Sequence, residues 1–67
     1  MKSISIVVPI FNMEAYLRKC LDSLYAQVDD TMEVILVNDG STDFSPQICA
    51  EYIKQYPDTI YINLKVG

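Results

Sequence analysis

Histidine is absent from this 67-residue chain, and its two cysteines, Cys20 and Cys49, belong to no Cys-x-x-Cys or Cys/His cluster. A zinc site needs such a donor set and is excluded. Basic residues are also scarce: five against nine acidic ones, for a formal net charge of −4. Arg18-Lys19 is the only adjacent basic pair. Non-specific nucleic-acid binding draws on clustered Lys and Arg, so nucleic acid is not an expected partner. Glycine occurs only twice. No G-x-G-x-x-G follows the first apolar run, where the sequence reads Pro9-Ile-Phe-Asn-Met-Glu14. No G-x-x-x-x-G-K-[ST] occurs anywhere, so neither phosphate-binding loop is present. Ile4–Ile10 is too short to span a bilayer, and Pro9 interrupts it. Lys2 precedes that run, but no small-residue cleavage site follows it. The chain reads as cytoplasmic, with any attachment to the membrane's cytoplasmic face residing in segments it does not contain.

What is present is a folded composition, 51% hydrophobic and 21% charged. The length allows one domain at most, residues 1–67, and a chain this short buries only ~60% of its unfolded surface. Ser3 to Ile10 is an unbroken Ile/Val-rich run, the pattern of a strand buried on both faces, with Pro9 at its end. Asn12 is placed to cap a helix, with Glu14 in its first turn. Leu17, Cys20, Leu21, Leu24 and Val28 then follow helical spacing until Asp29-Asp30-Thr31 breaks it. Glu33 to Asn38 is a second strand. Ser45-Pro46 reads as a cap residue followed by proline at the first helical position. Ile48, Cys49, Tyr52, Ile53 and Tyr56 form the apolar face of this second helix, which Pro57-Asp58 ends. Thr59 to Leu64 is a third strand. Both cysteines fall on apolar helix faces and read as buried free thiols in a reducing compartment, a disulfide being the alternative.

Strand, helix, strand, helix, strand implies an α/β fold: parallel strands joined by right-handed crossovers, the first βαβαβ half of a doubly wound, Rossmann-like sheet. Two such crossovers running in one direction put both helices on the same face. The other face is then bare, although the strands are apolar enough to need cover on both sides. Lys65-Val66-Gly67 carries no stop signal. The expectation is a partial domain whose carboxyl-terminal half is missing, or one that self-associates through the bare face or the first strand's edge.

Two turns meet at the carboxyl edge of such a sheet, where ligands collect in open α/β folds. One is Pro9-Ile-Phe-Asn-Met-Glu14; the other is Asn38-Asp39-Gly40-Ser41. Phe11 offers an aromatic face for stacking on a flat base. Asp39 offers an acceptor-only carboxylate, suited to an imide N–H. Gly40 permits close backbone approach and Ser41 adds a hydroxyl. A pyrimidine with a stacking face and an imide donor, as in a uridine nucleotide, fits the set. Each residue has a purely structural role as well: Phe11 in a core, Asp39-Gly40 as a turn pair, Asp43 ordering its loop, Glu14 complementing a helix dipole. Their conjunction favours the site. A calcium loop starting at Asp39 fails, because its sixth position is Phe44 and its twelfth Ala50.

Taken together, Ile4-Ser-Ile-Val-Val-Pro-Ile-Phe-Asn12, Tyr16-Leu17, Cys20-Leu-Asp-Ser-Leu24, Gln27 and Val37-Asn-Asp-Gly-Ser-Thr-Asp43 resemble the amino-terminal signature of family-2 glycosyltransferases. The resemblance runs from Ser3 to about Leu64. It implies the GT-A fold and an inverting transfer of sugar from a nucleotide diphosphate donor, a UDP-sugar, to a saccharide or other hydroxyl acceptor, as in the building of cell-wall or exopolysaccharide polymers. It implies that Pro9, Phe11 and Asp39 contact the base and ribose, with Glu14 and Ser41 nearby. Three departures stand out. Asn38 precedes Asp39 where the family usually has Asp-Asp, and Phe11 replaces the more frequent Tyr. Val66 stands where the family often has Asn. In the family the ligands of a divalent metal (Mg or Mn) and the catalytic base lie beyond Gly67, so these 67 residues are expected to transfer no sugar alone. The alternatives are a non-catalytic nucleotide-binding module and a self-associating structural α/β piece.

Overall fold

A computed structural model describes residues 2–64, so the expectations for Lys65-Val66-Gly67 lie outside the described residues. The elements are β1 (Ile4–Ile10), α1 (Glu14–Tyr25), β2 (Met32–Asp39), α2 (Ser45–Gln55) and β3 (Ile60–Leu64). The strands form one parallel sheet in the order β1-β2-β3. Ile4 of β1 lies beside Met32 and Ile10 beside Asn38, while Leu36 lies beside Tyr61 and Asp39 beside Leu64.

Successive strand residues point to opposite faces, and here only one face is covered. Val34, Leu36 and Asn38 alternate as the buried residues of β2, with Ile10 buried in β1. Leu17, Leu21 and Tyr25 of α1 and Ile48, Cys49 and Tyr52 of α2 pack with the apolar members of that row in one core. On the opposite face Val7 is 58% exposed, and Ile60, Ile62 and Leu64 are 42–46% exposed. The both-sided burial read from the Ile/Val run of β1 is therefore not met among the described residues. The two same-hand crossovers stack both helices on one side, as the topology requires.

The helix interface has a polar seam over its apolar base. The Tyr52 hydroxyl donates to Asp22 Oδ1 (2.5 Å) and to the Arg18 carbonyl (3.2 Å). Burial first, and then the neighbouring Asp22 carboxylate, push this phenol up to about 12. The Tyr25 ring stacks on Tyr56 at 4.0 Å and more loosely on Tyr52 at 6.0 Å. Its hydroxyl meets Thr59 Oγ1 at 2.6 Å, tying the end of α1 to the entry of β3.

One cysteine departs from expectation. Cys49 is fully buried, and burial raises its thiol to about 11. Cys20 is exposed. At 3.6 residues per turn it lies ~70° from the centre of the Leu17–Leu21–Leu24–Val28 stripe, on its margin rather than in it. An aromatic disulfide reagent should accordingly modify one thiol of the native protein at once and the second only on addition of denaturant. Two thiols reacting together under native conditions would contradict the placement of Cys49.

Candidate functional site at the carboxyl edge of the sheet

One residue beyond the Ile10–Asn38 register pair, the chain enters the two turns at the carboxyl edge. Parallel strands lie ~4.8 Å apart, so Phe11 and Asp39 emerge side by side. Each turn contains one residue in the left-handed region, Asn12 (φ 49°) and Gly40 (φ 71°). Asparagine and glycine are the residues that enter this region at least cost.

The turns are bound to each other by reciprocal hydrogen bonds. Three successive amides of the first turn donate to side chains of the second. Asn12 N–H reaches Ser41 Oγ (3.1 Å), Met13 N–H reaches Ser45 Oγ (3.0 Å), and Glu14 N–H reaches Asp43 Oδ2 (3.0 Å). In return, Thr42 N–H donates to Asn12 Oδ1 (2.8 Å) and Phe44 N–H to Glu14 Oε1 (3.3 Å). The free amides at each helix start are thus met by side chains from the neighbouring loop.

This arrangement corrects two local expectations. Asn12 does not cap α1: the residue before that helix is Met13, which makes no side-chain cap bond. A left-handed backbone turns Asn12 away from the helix start, and its carbonyl oxygen serves Thr42 instead. Ser45 is not the cap of α2 but its first residue, with Phe44 before it and Pro46 second. Ser45 is fully buried, and its hydroxyl accepts from the start of α1. Asp43 Oδ1 accepts from Ser45 N–H (2.9 Å), so one carboxylate serves both helix starts.

Desolvation works against the Asp43 charge, but the Ser45 hydroxyl and the N–H donors of Ser45 and Glu14 together outweigh it and hold the carboxyl below its ordinary value. Because the folded value lies under the unfolded one of about 4, the resulting stabilisation is complete above that pH and is lost as pH falls through the folded value. Asp43→Asn should lower stability at neutral pH and flatten the loss that sets in as pH falls below the ordinary carboxylate value. Asp29, lowered by Thr31, keeps part of the slope. Equal slopes for both proteins in urea melts across that range would contradict this role.

The sequence-derived site residues now divide. Glu14 and Ser41 are engaged in the inter-turn bonds, Ser41 accepting from Asn12 and Glu14 from Phe44. Pro9, Phe11 and Asp39 are exposed. Phe11, 61% exposed, is not a core residue. Pro9 and Asp39 share the uncovered face of the sheet by strand parity, so they do not lie under the helices. Asn38, given no role in the sequence reading beyond its departure from Asp-Asp, is 3% exposed and fully hydrogen-bonded beneath the turn.

Two cavities stand out among the described residues. A cleft of about 500 Å³ opens beside the second turn, between Gly40-Ser41-Thr42 and the end of β3 at Asn63-Leu64. A more enclosed one of about 250 Å³ lies at the amino edge, among Tyr25, Val28, Tyr56, Asp58 and Thr59. Neither is lined by Phe11 or Asp39, both of which are exposed. Among the described residues no group of three or more acidic, Cys or His side chains is placed to hold a metal ion. The described residues therefore supply no donor set that would hold a divalent metal on its own. No helix of the described residues is long and apolar enough to cross a membrane.

Residues 5–67 match the family Glycosyl transferase family 2. The chain is 48% identical over 59 residues to "Glycosyltransferase GlyA" of Streptococcus pneumoniae serotype 4, covering 88% of the chain and 8% of that protein. It is 44% identical over 61 residues to "Minor teichoic acid biosynthesis protein GgaA" of Bacillus subtilis, covering 87% and 14%. It is 42% identical over 66 residues to "Poly(ribitol-phosphate) beta-glucosyltransferase" of Bacillus spizizenii, covering 96% and 10%. The chain thus spans about a tenth of the length of these relatives.

Proposed function

The chain belongs to glycosyl transferase family 2, and we propose that it forms the donor-nucleotide half of a glycosyltransferase using a UDP-sugar. Phe11 stacks on the uracil ring, Asp39 accepts its imide N–H, and Pro9 lines the platform on the uncovered side. Glu14 and Ser41 act from behind, by holding the two turns in register. The observation that supports the reading best is that Phe11 and Asp39 emerge adjacent and exposed from a carboxyl edge whose other polar groups are bonded to one another. The carboxyl edge is favoured over the more enclosed amino-edge cavity because parallel sheets present their ligand-binding turns there.

Transfer itself is assigned to the longer protein. An inverting displacement needs a base for the acceptor hydroxyl and compensation for the leaving diphosphate. No residue here is given either task, and these 67 residues alone are expected to transfer no sugar. The divalent metal (Mg or Mn) expected of the whole enzyme would be held by residues outside this chain. The relatives include proteins named for teichoic acid biosynthesis and for glucosyl transfer to poly(ribitol-phosphate). A hydroxyl-rich cell-wall or exopolysaccharide polymer is thus the proposed acceptor class, reached from the cytoplasmic side of the membrane. The apolar face of Val7, Ile60, Ile62 and Leu64 is where further structure or a second copy would pack.

Calorimetric titration with UDP and CDP tests the base assignment. Cytosine has an acceptor at N3 where uracil has a donor, so it would face the Asp39 carboxylate acceptor to acceptor. UDP should bind at least about tenfold more tightly, because a lost charge-assisted bond leaves two acceptors opposed. Equal affinities would remove Asp39 from base recognition.

A further inference from the structure

Asn38 ends the buried row of β2 and sits directly before Asp39. Its side chain makes three hydrogen bonds in three directions. Oδ1 accepts from the Ser41 amide (3.2 Å), and Nδ2 donates to the Tyr61 hydroxyl (3.1 Å) and to Asn63 Oδ1 (3.1 Å). The orientation follows from the partners: a backbone N–H can only donate, so the carboxamide oxygen must face Ser41. No buried side-chain nitrogen or oxygen among the described residues lacks a partner, so this small network is complete.

We propose that Asn38 is the positioning residue of the nucleotide platform, its carboxamide fixing the Asp39-Gly40-Ser41 turn to β3 and, through Ser41, to the turn that carries Phe11. The inference rests on the uridine reading and names a residue that touches no ligand. Its path is continuous. Asn63 and Tyr61 hold the Asn38 amide; Asn38 holds the Ser41 amide; the Ser41 hydroxyl holds Asn12 N–H; Asn12 Oδ1 holds Thr42 N–H. Asp39 and Phe11 lie on either side of this path, each the immediate neighbour of a bonded residue. The carboxylate itself is exposed at the end of its strand, so its aim depends on how firmly the following turn is held.

The chemistry also says which substitution is tolerated. Aspartate at position 38 keeps an acceptor for the Ser41 amide, takes a donated bond from the Tyr61 hydroxyl, and lets the Asn63 amide turn to donate. Leucine, of similar size, keeps the packing and removes all three bonds, stranding the Ser41 amide.

The test uses Asn38→Leu and Asn38→Asp, compared with the unaltered protein by amide hydrogen exchange and by UDP titration. Exchange at Ser41 should accelerate about tenfold or more in Asn38→Leu while the core amides of β2 keep their protection, which a general loss of stability would not produce. UDP affinity should fall about tenfold, as expected for loss of a buried hydrogen bond that orients a contact, and Asn38→Asp should restore both to within about threefold. Folded Asn38→Leu with normal Ser41 exchange and normal UDP affinity would overturn the proposal, as would Asn38→Asp no better than leucine. If leucine prevents folding, Tyr61→Phe combined with Asn63→Ala tests the same tether from its other end. Faster Ser41 exchange supports it, and no change overturns it. An unaltered protein that ignores UDP sinks the nucleotide reading and the binding role of Asn38 with it, while the Ser41 exchange rate still decides whether Asn38 holds the turn.

Discussion

UDP affinity falls about 30-fold in Asp39→Ala and only severalfold in Asp39→Asn, since a hydrogen bond to a charged group contributes about 1.5–3 kcal/mol and one to a neutral acceptor about half that. The asymmetry between the two substitutions carries the argument. Asparagine keeps a carbonyl oxygen that accepts the imide N–H and loses only the charge. Alanine leaves the base donor with water alone. Asp39 makes no hydrogen bond in the inter-turn set, so neither substitution disturbs the bonds among Asn12, Ser41, Thr42 and Asp43. Both proteins should melt like the original. Equal losses in the two variants would mean that Asp39 acts by general charge and not as an acceptor for the base.

The largest effect on stability belongs to Leu36. It is fully buried in the central strand, beside Val8 of β1 and Tyr61 of β3, beneath the two helices. Truncation to alanine removes three carbons from a site that neighbours on both sides keep from collapsing. Leu36→Ala should cost about 3 kcal/mol, within the range of about 2–5 for such changes. A domain of this size has a total stability of about 3–10 kcal/mol, so the loss is a large share of it. The urea midpoint should fall with the slope unchanged. Ile62→Ala, on the uncovered face, should cost about 1 kcal/mol or less because its side chain already meets water. Similar costs at both positions would mean that the uncovered face is covered in solution, by a second copy or by other parts of the polypeptide.

The order of elements was legible in the sequence because each announces itself locally. Ile4–Ile10 and the Val34–Val37 centre of β2 are apolar runs, and Leu17, Leu21 and Leu24 follow the helical period. The single covered face was legible from topology, although the apolar strands argued for two. The partners of the helix starts were not. Rules for capping look two or three residues along the chain, and they assigned Asn12 to α1 and Ser45 to α2. The actual partners lie about thirty residues apart, Met13 with Ser45 and Glu14 with Asp43. Cys20 failed for a different reason: helical spacing finds the stripe but does not locate its margin. At the site, Phe11 and Asp39 could be singled out because one follows directly on a strand and the other ends one. Asn38 could not, since its importance comes from Tyr61 and Asn63 on a strand that begins more than twenty residues later.

The direct test of the uridine platform is an NMR titration of the isotopically labelled protein with UDP. The account predicts amide shifts concentrated at Phe11, Asn12 and Asp39 to Thr42, with the amino-edge residues unmoved. Shifts at Tyr25, Tyr56, Asp58 and Thr59 around the amino-edge cavity, or none at saturating UDP, would contradict it.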